Sequence, residues 1–258
     1  MEKRFVLTRR DLQIPCVLTE PEHMQPQRVI LSVHGLGGST EDAIQKGIAE
    51  EMGIFCSAVL RFDFPGHGSN PLEKEGFTLK NCMDTLIFAA NWLKDQYQTM
   101  EDLCIFATGF GAYVTLLCLP QLQELPFHIK LVIQTPSIRM HETLLSMLNI
   151  SEQTLWAMER TTIPTPRVLE ISYPFYESLQ KNTALMDYRM PILILRAEED
   201  AYIADADIRM FRRLNEQAKI VTIPGASHRF LEPGAWDMVL DLTRDWFEFE
   251  QVLLADWE

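Results

Sequence analysis

Residues 103–117, LCIFATGFGAYVTLL, decide how the rest of the chain is read. LCIFATG is a short apolar run of the kind that forms a buried strand. GAYVTLLCL continues as an apolar helix. Between them the chain turns sharply through Ala107-Thr108-Gly109-Phe110-Gly111. A strand-to-helix turn of this kind often carries a nucleophile as G-x-S-x-G. Here Gly109 stands where the pattern has serine, and Ala107 where it has its first glycine. Moving the register by one would place Thr108 at the apex. Phe110 and Gly111 would then fall out of step with the close helix–strand packing that glycine allows. Cys104 lies inside the strand and reads as a core thiol, and Ser227 is not on a strand-to-helix turn. Gly109 therefore takes the apex.

Working outward, RFVLT and IPCVLTE read as a leading hairpin, and RVILSVHG (28–35) as a buried strand rich in β-branched residues. A helix is expected over 41–52 with Ser39 or Thr40 near its N-cap. A strand is expected over 54–64 and an amphipathic helix over 77–97. KLVIQTPS (130–137) is another strand. The pattern then changes: 138–189 is rich in Met, Thr, Glu and Pro, and Pro164 and Pro166 interrupt it. Two or three short helices are expected there. Alternation resumes with a strand at 191–200, a helix near 203–215, a strand at 219–228 and a C-terminal helix from Ala235 to Leu254. Strands separated by helices imply an α/β fold with a mainly parallel sheet covered on both faces. Ligands of such sheets bind beyond the C-terminal ends of the strands.

The balance of 23 basic against 36 acidic residues, a net charge of −13, argues against nucleic acid and against an anionic membrane surface as partners. The charged N-terminus has no apolar signal segment, and no apolar run is long enough to span a membrane, so a cytoplasmic location is expected. Five scattered cysteines without CxxC spacing fit free thiols better than disulfides or zinc. No histidine pair has metal-ligand spacing and no phosphate-binding glycine motif occurs, so neither metal nor cofactor is expected.

Five strand ends carry polar or glycine-rich segments: His34-Gly35-Leu36-Gly37-Gly38, Asp63-Phe64-Pro65-Gly66-His67-Gly68, the 107–111 turn, and, late in the chain, Asp200 and then His228. Taken in order, VHGLGG, RFDFPGHGSN, ATGFGAY, RAEED and GASH resemble the α/β-hydrolase family over residues 28–228. Within it, FDFPGHG and the 138–189 segment look most like bacterial carboxylesterases of the cinnamoyl or feruloyl esterase type. The resemblance implies a mainly parallel, twisted α/β-hydrolase sheet flanked by helices on both faces. Residues 1–137 and 190–258 would form the core, and 138–189 a helical lid insertion.

The family's activity is acyl transfer to water through serine, histidine and an acid. By position, the resemblance implies His228 as the base, Asp200 as its acid, and Gly109 at the nucleophile position. It implies the N–H groups of Phe110 and Leu36 as oxyanion donors. Glu198 and Glu199 flank Asp200 and are weaker candidates for the acid. His34 and His67 sit in loops where packing is the leading reading. His34, Gly35, Trp156 and Tyr176 are the candidate ligand contacts. The expected partner is a small ester, acid or lactone-like ligand. Three functions stay open at this point: a ligand-binding homologue without hydrolysis, an enzyme using His228–Asp200 as a general-base dyad, and a serine esterase carrying a Ser-to-Gly change. A protein that acts only through its acidic surface is the reading of a different class.

Overall fold

The alternation of apolar and amphipathic segments folds into one eight-stranded sheet with helices on both faces. The structure is a computed structural model that describes residues 1–9, 12–71, 76–165 and 167–251. In chain order the first half gives β1 (Glu2–Arg9), β2 (Leu12–Thr19), β3 (Arg28–Val33), α1 (Ala43–Ile54), β4 (Ser57–Phe62), α2 (Leu79–Gln96), β5 (Asp102–Thr108), α3 (Gly109–Leu122) and β6 (His128–Gln134). There follow α4 (Met140–Leu148), α5 (Glu152–Met158), β7 (Arg160–Ile163), β8 (Leu169–Ser172) and α6 (Tyr173–Lys181). The chain then returns to the sheet with β9 (Ile192–Glu199), α7 (Asp205–Leu214), β10 (Ala218–Ser227) and α8 (Ala235–Phe249).

The strand order is β1-β2-β4-β3-β5-β6-β9-β10. The β1–β2 hairpin is antiparallel and joins β4 antiparallel; from β4 to β10 every neighbour is parallel. Alternating residues of β5 show why its sequence is apolar without a break. Leu103, Ile105 and Ala107 enter one core cluster, and Cys104 and Phe106 enter the other. A strand whose side chains point alternately to two covered faces has no polar side to offer. Helix α3 is buried at 11 of its 14 residues, which explains its lack of an amphipathic face. Its Tyr113 hydroxyl donates to the Asn182 carbonyl oxygen at 2.9 Å, just past α6.

Four expectations need correction. The segment after β6 holds helices, but also the antiparallel hairpin β7–β8. Pro164 lies in the hairpin's connection, and Pro166 is outside the described residues. Helix α1 begins after Asp42, not at Ser39 or Thr40, and Asp42 makes no side-chain cap. Its carboxylate instead accepts from the Ser39 N–H at 3.0 Å and the Ser39 hydroxyl at 3.2 Å. The strand expected over 54–64 is shorter, because Cys56 takes φ 57° and breaks it from the preceding helix. The C-terminal helix, expected to reach Leu254, ends at Phe249, where Glu250 takes φ 50°; residues 252–258 are outside the described ones. Among the described residues, no helix is long and apolar enough to cross a membrane.

Candidate active site

The five segments singled out in the sequence all follow strands of the parallel part of the sheet, so they leave it at one edge. Gly109, the first residue of α3, has φ +48°, and no heavy atom lies within 4 Å of the place its Cβ would take. Gly111 is the opposite case. A Cβ there would sit 2.3 Å from the His34 carbonyl oxygen and 2.9 Å from that of Val33. Helix α3 packs on the end of β3 only because position 111 has no side chain. The pair fixes the register of the turn. Thr108 is ordinary extended backbone, φ −119° and ψ 139°, so the left-handed apex is Gly109.

The loop after β3 is held from several sides. His34 is buried, and its Nε2 accepts the Phe64 N–H at 3.1 Å. That bond places the proton on Nδ1, which donates to the Gly35 carbonyl oxygen at 2.8 Å. Both ring nitrogens are thus engaged, and burial lowers the pKa of His34. The His34 ring thus joins the loops after β3 and β4. Gly35 lies against Thr108, whose hydroxyl oxygen is 3.4 Å from the place of its missing Cβ. Leu36 is half-buried against the core. Phe110 lies in the first turn of α3, where N–H groups have no partner within the helix. Its ring packs on Phe64, Phe77 and Phe175 at centroid distances of 5.9, 6.0 and 6.0 Å.

The loop after β4 is braced by Asp63, which is buried and accepts from the Thr40 N–H at 2.7 Å and the Ser69 N–H at 2.8 Å. His67 donates from Nδ1 to the Pro65 carbonyl oxygen at 2.9 Å, while its buried Nε2 has no partner among the described residues. Burial holds its pKa down to about 3. Unfolded, the same group takes its proton near pH ~6.5. Between those values the unfolded chain binds more protons, so stability falls with falling pH, by ~1.4 kcal/mol per unit inside the window. His34 acts in the same direction. Urea unfolding should show this decline between about pH 6 and 4, and His67→Gln should flatten it.

Asp200 follows β9 and His228 follows β10. His228 Nδ1 lies 2.8 Å from one Asp200 carboxylate oxygen and 3.0 Å from the other. The backbone N–H groups of Tyr202 and Ile203 donate to Asp200 at 2.8 and 3.0 Å. Burial works to raise the Asp200 pKa, but the His228 contact and the two N–H groups outweigh it and leave it lowered. The Tyr202 ring meets His228 edge-on at 5.1 Å. The His228 side chain is 25% exposed and that of Asp200 5%, so the histidine is the more open of the two. Glu198 is directed elsewhere: its carboxylate accepts the Gly225 N–H at 2.8 Å. Glu199 is exposed. Asp205 and Asp207 are on α7, where Asp207 pairs with Arg139 at 2.6 Å. Cys104 is buried in β5, and burial pushes its thiol far above neutral pH, so it offers no thiolate.

The residues between β6 and β9 sit close to this edge. Thr165, in the hairpin connection, occupies the space beside Gly37: a Cβ there would be 2.1 Å from the threonine methyl. Arg167 Nη1 donates to the carbonyl oxygens of His67, Gly68 and Asn70. A cavity of about 220 Å³ lies between these residues and the loop after β3. A larger one of about 540 Å³ adjoins Asp200, Tyr202 and Glu198 on the core side and Glu142 and Thr143 of α4 on the other. The two aromatic candidates lie on helices between β6 and β9. Trp156 is 65% exposed on α5. Tyr176 is buried among Tyr173 and His141, its hydroxyl donating to Glu152 at 3.3 Å. Helical spacing of aromatics did not reveal which face was covered. Arg167 and the Glu198–Gly225 contact were not anticipated. Pro224 followed by Gly225, the first residue of GASH, hints at a bulge, whereas Arg167 left no local signal. Among the described residues, no group of three or more His, Cys, Asp or Glu is arranged to hold a metal.

No family model matches the chain, and no curated protein matches it significantly by sequence. Solved structures do match over nearly the whole length. Est1E from Butyrivibrio proteoclasticus, solved with ferulic acid bound, is 19% identical at a TM-score of 0.76, covering 96% of this chain and 99% of that one. A putative hydrolase from Agrobacterium vitis S4 is 14% identical at a TM-score of 0.78, covering 95% and 97%. The mouse alpha/beta hydrolase domain-containing protein 10 is 13% identical at 0.76, covering 96% and 100%. At these identities the likeness is one of architecture, and together with the strand order it makes this chain an α/β-hydrolase fold.

Proposed function

We propose that the chain is a carboxylic-ester hydrolase scaffold that binds a small ester, acid or lactone-like ligand and lacks the nucleophile for acyl transfer. Gly109 carries this reading: it takes the left-handed apex of the turn, with open space where a side chain would begin. In acyl transfer the apex oxygen attacks the carbonyl, a histidine removes its proton, and two N–H groups hold the oxyanion. Here the histidine is His228, oriented by Asp200, and Phe110 and Leu36 supply the N–H groups. Gly109 offers no oxygen, so the first bond cannot form. Binding and polarisation of a carbonyl remain. Residues 138–189 act as the lid over this site on the same reading.

Equilibrium binding tests the proposal. Short aryl esters and hydroxycinnamic acids, chosen because Est1E holds ferulic acid, should bind saturably to the unmodified chain. At a hundredfold excess over Kd a ligand adds ~2.7 kcal/mol to stability. For a chain of this size, that raises the melting temperature by roughly 5–10 °C. No shift with any ester or acid of the panel would contradict a retained binding site.

One observation favours a second reading. With Nδ1 held by Asp200 and the ring partly exposed, His228 turns Nε2 away from the acid, where it can accept a hydrogen bond. A water in the space beside Gly109 would then be its substrate. General-base catalysis of this kind contributes ~10²–10⁴-fold, and measurable turnover by the unmodified chain that His228→Ala removes would support it.

A further inference from the structure

Strands β9 and β10 run in parallel register up to the Ile223–Ala197 pair and resume at Ser227–Glu199. Between them, Pro224, Gly225 and Ala226 stand opposite Glu198 alone, so β10 carries two extra residues directly before His228. Pro224 has no N–H to give. Gly225 has φ +63°, which takes its N–H out of the ladder. Glu198 Oε2 accepts that N–H at 2.8 Å. On the far side of His228, the Phe230 N–H donates to the Ser227 carbonyl oxygen at 3.0 Å, and the Phe230 ring is buried with Ala226 in the core.

The histidine therefore sits on a short arch. Its downstream limb is anchored by Phe230 and its upstream limb by one carboxylate. That carboxylate comes from the strand that leads to Asp200. One strand end thus sets both the ring of His228, through Asp200, and the backbone that delivers it, through Glu198.

We propose that Glu198 is a positioning residue: its bond to the Gly225 N–H splints the β10 bulge and holds His228 against Asp200. The proposal rests on the reading of His228 and Asp200 as the acid–base pair of the site. A carboxylate accepting a backbone N–H makes a charge-assisted bond, and a catalytic group displaced by 1 Å can lose ~10²-fold in rate. Glu198 is exposed, so neither variant below leaves a buried hole.

The test has two arms. In the unmodified chain, the Nδ1–H proton of His228, shielded from exchange by Asp200, is followed by NMR. Glu198→Ala should broaden or abolish this signal. Glu198→Gln, whose amide oxygen still accepts the Gly225 N–H, should keep it. In the Gly109→Ser background, Glu198→Ala should lower kcat for an aryl ester about tenfold with KM changed less than about twofold, and Glu198→Gln should recover most of the loss. An unchanged His228 signal in Glu198→Ala would overturn the proposal. So would Glu198→Gln falling as far as Glu198→Ala, which would make charge the operative property. If Gly109→Ser has no activity, the reading of the missing nucleophile fails, while the NMR arm still decides the role of Glu198.

Discussion

Gly109→Ser is expected to turn a chain that does not hydrolyse short aryl esters into one that does. The proposed site has every other part in place. Nothing lies within 4 Å of the new Cβ, so the serine enters without displacing a neighbour. A triad serine is worth on the order of 10⁶ in turnover, and recovery of a hundredth of that would still give ~10⁴-fold. The gain should come with lower stability. At φ +48° glycine is unstrained, whereas a side chain there costs about 1–3 kcal/mol. For a chain of this size, that lowers the melting temperature by roughly 2–10 °C. Steady-state hydrolysis and a thermal melt on the same sample measure both. A serine variant that is folded, less stable and inactive would show that the oxyanion N–H groups or the ligand pocket do not meet at residue 109.

The second large effect is His228→Ala in the serine background, which should return hydrolysis to the level of the unmodified chain. Removing the base of a triad costs about as much as removing the nucleophile, on the order of 10⁶ in kcat, because an unassisted serine hydroxyl is a poor nucleophile. Asp200→Asn should lose ~10⁴-fold by leaving the imidazole in the wrong tautomer. The lowered pKa of Asp200 adds a pH dependence of known sign. Its contribution to stability is present above about pH 4 and is lost as pH falls through its folded pKa. Stopped-time assays of the three variants against one ester would separate these effects. Hydrolysis by Gly109→Ser that survives His228→Ala would remove His228 from the mechanism.

The parts legible in the sequence share a local cause. Strands β3 to β6 are mostly apolar because both faces of the sheet are covered, and a glycine or proline follows each within three residues. Asp200 and His228 could be paired because each directly follows such a strand. The hairpin β7–β8 was not legible. Its strands have only four residues each, and its contacts are with distant loops, Arg167 with the carbonyls after β4 and Thr165 with Gly37. His34 shows a different limit. A histidine beside two glycines suits a ligand or a loop anchor equally, and only the Phe64 N–H, brought in by the neighbouring strand β4, assigns it to the loop. Glu198, near the end of β9, and Asp200, just after it, look equivalent until β10 lies beside them, when one meets a backbone N–H and the other an imidazole.

The central claim is that the turn after β5 lacks its nucleophile while the histidine and acid of the site stand in place. Its most direct measurement is intact-mass analysis after treatment with a serine-directed fluorophosphonate. The unmodified chain should keep its mass, and Gly109→Ser should gain one adduct at residue 109 that His228→Ala prevents. Labelling of the unmodified chain at any residue of this site, Thr108 or Ser137 included, would show that a nucleophile is present after all and would contradict the account.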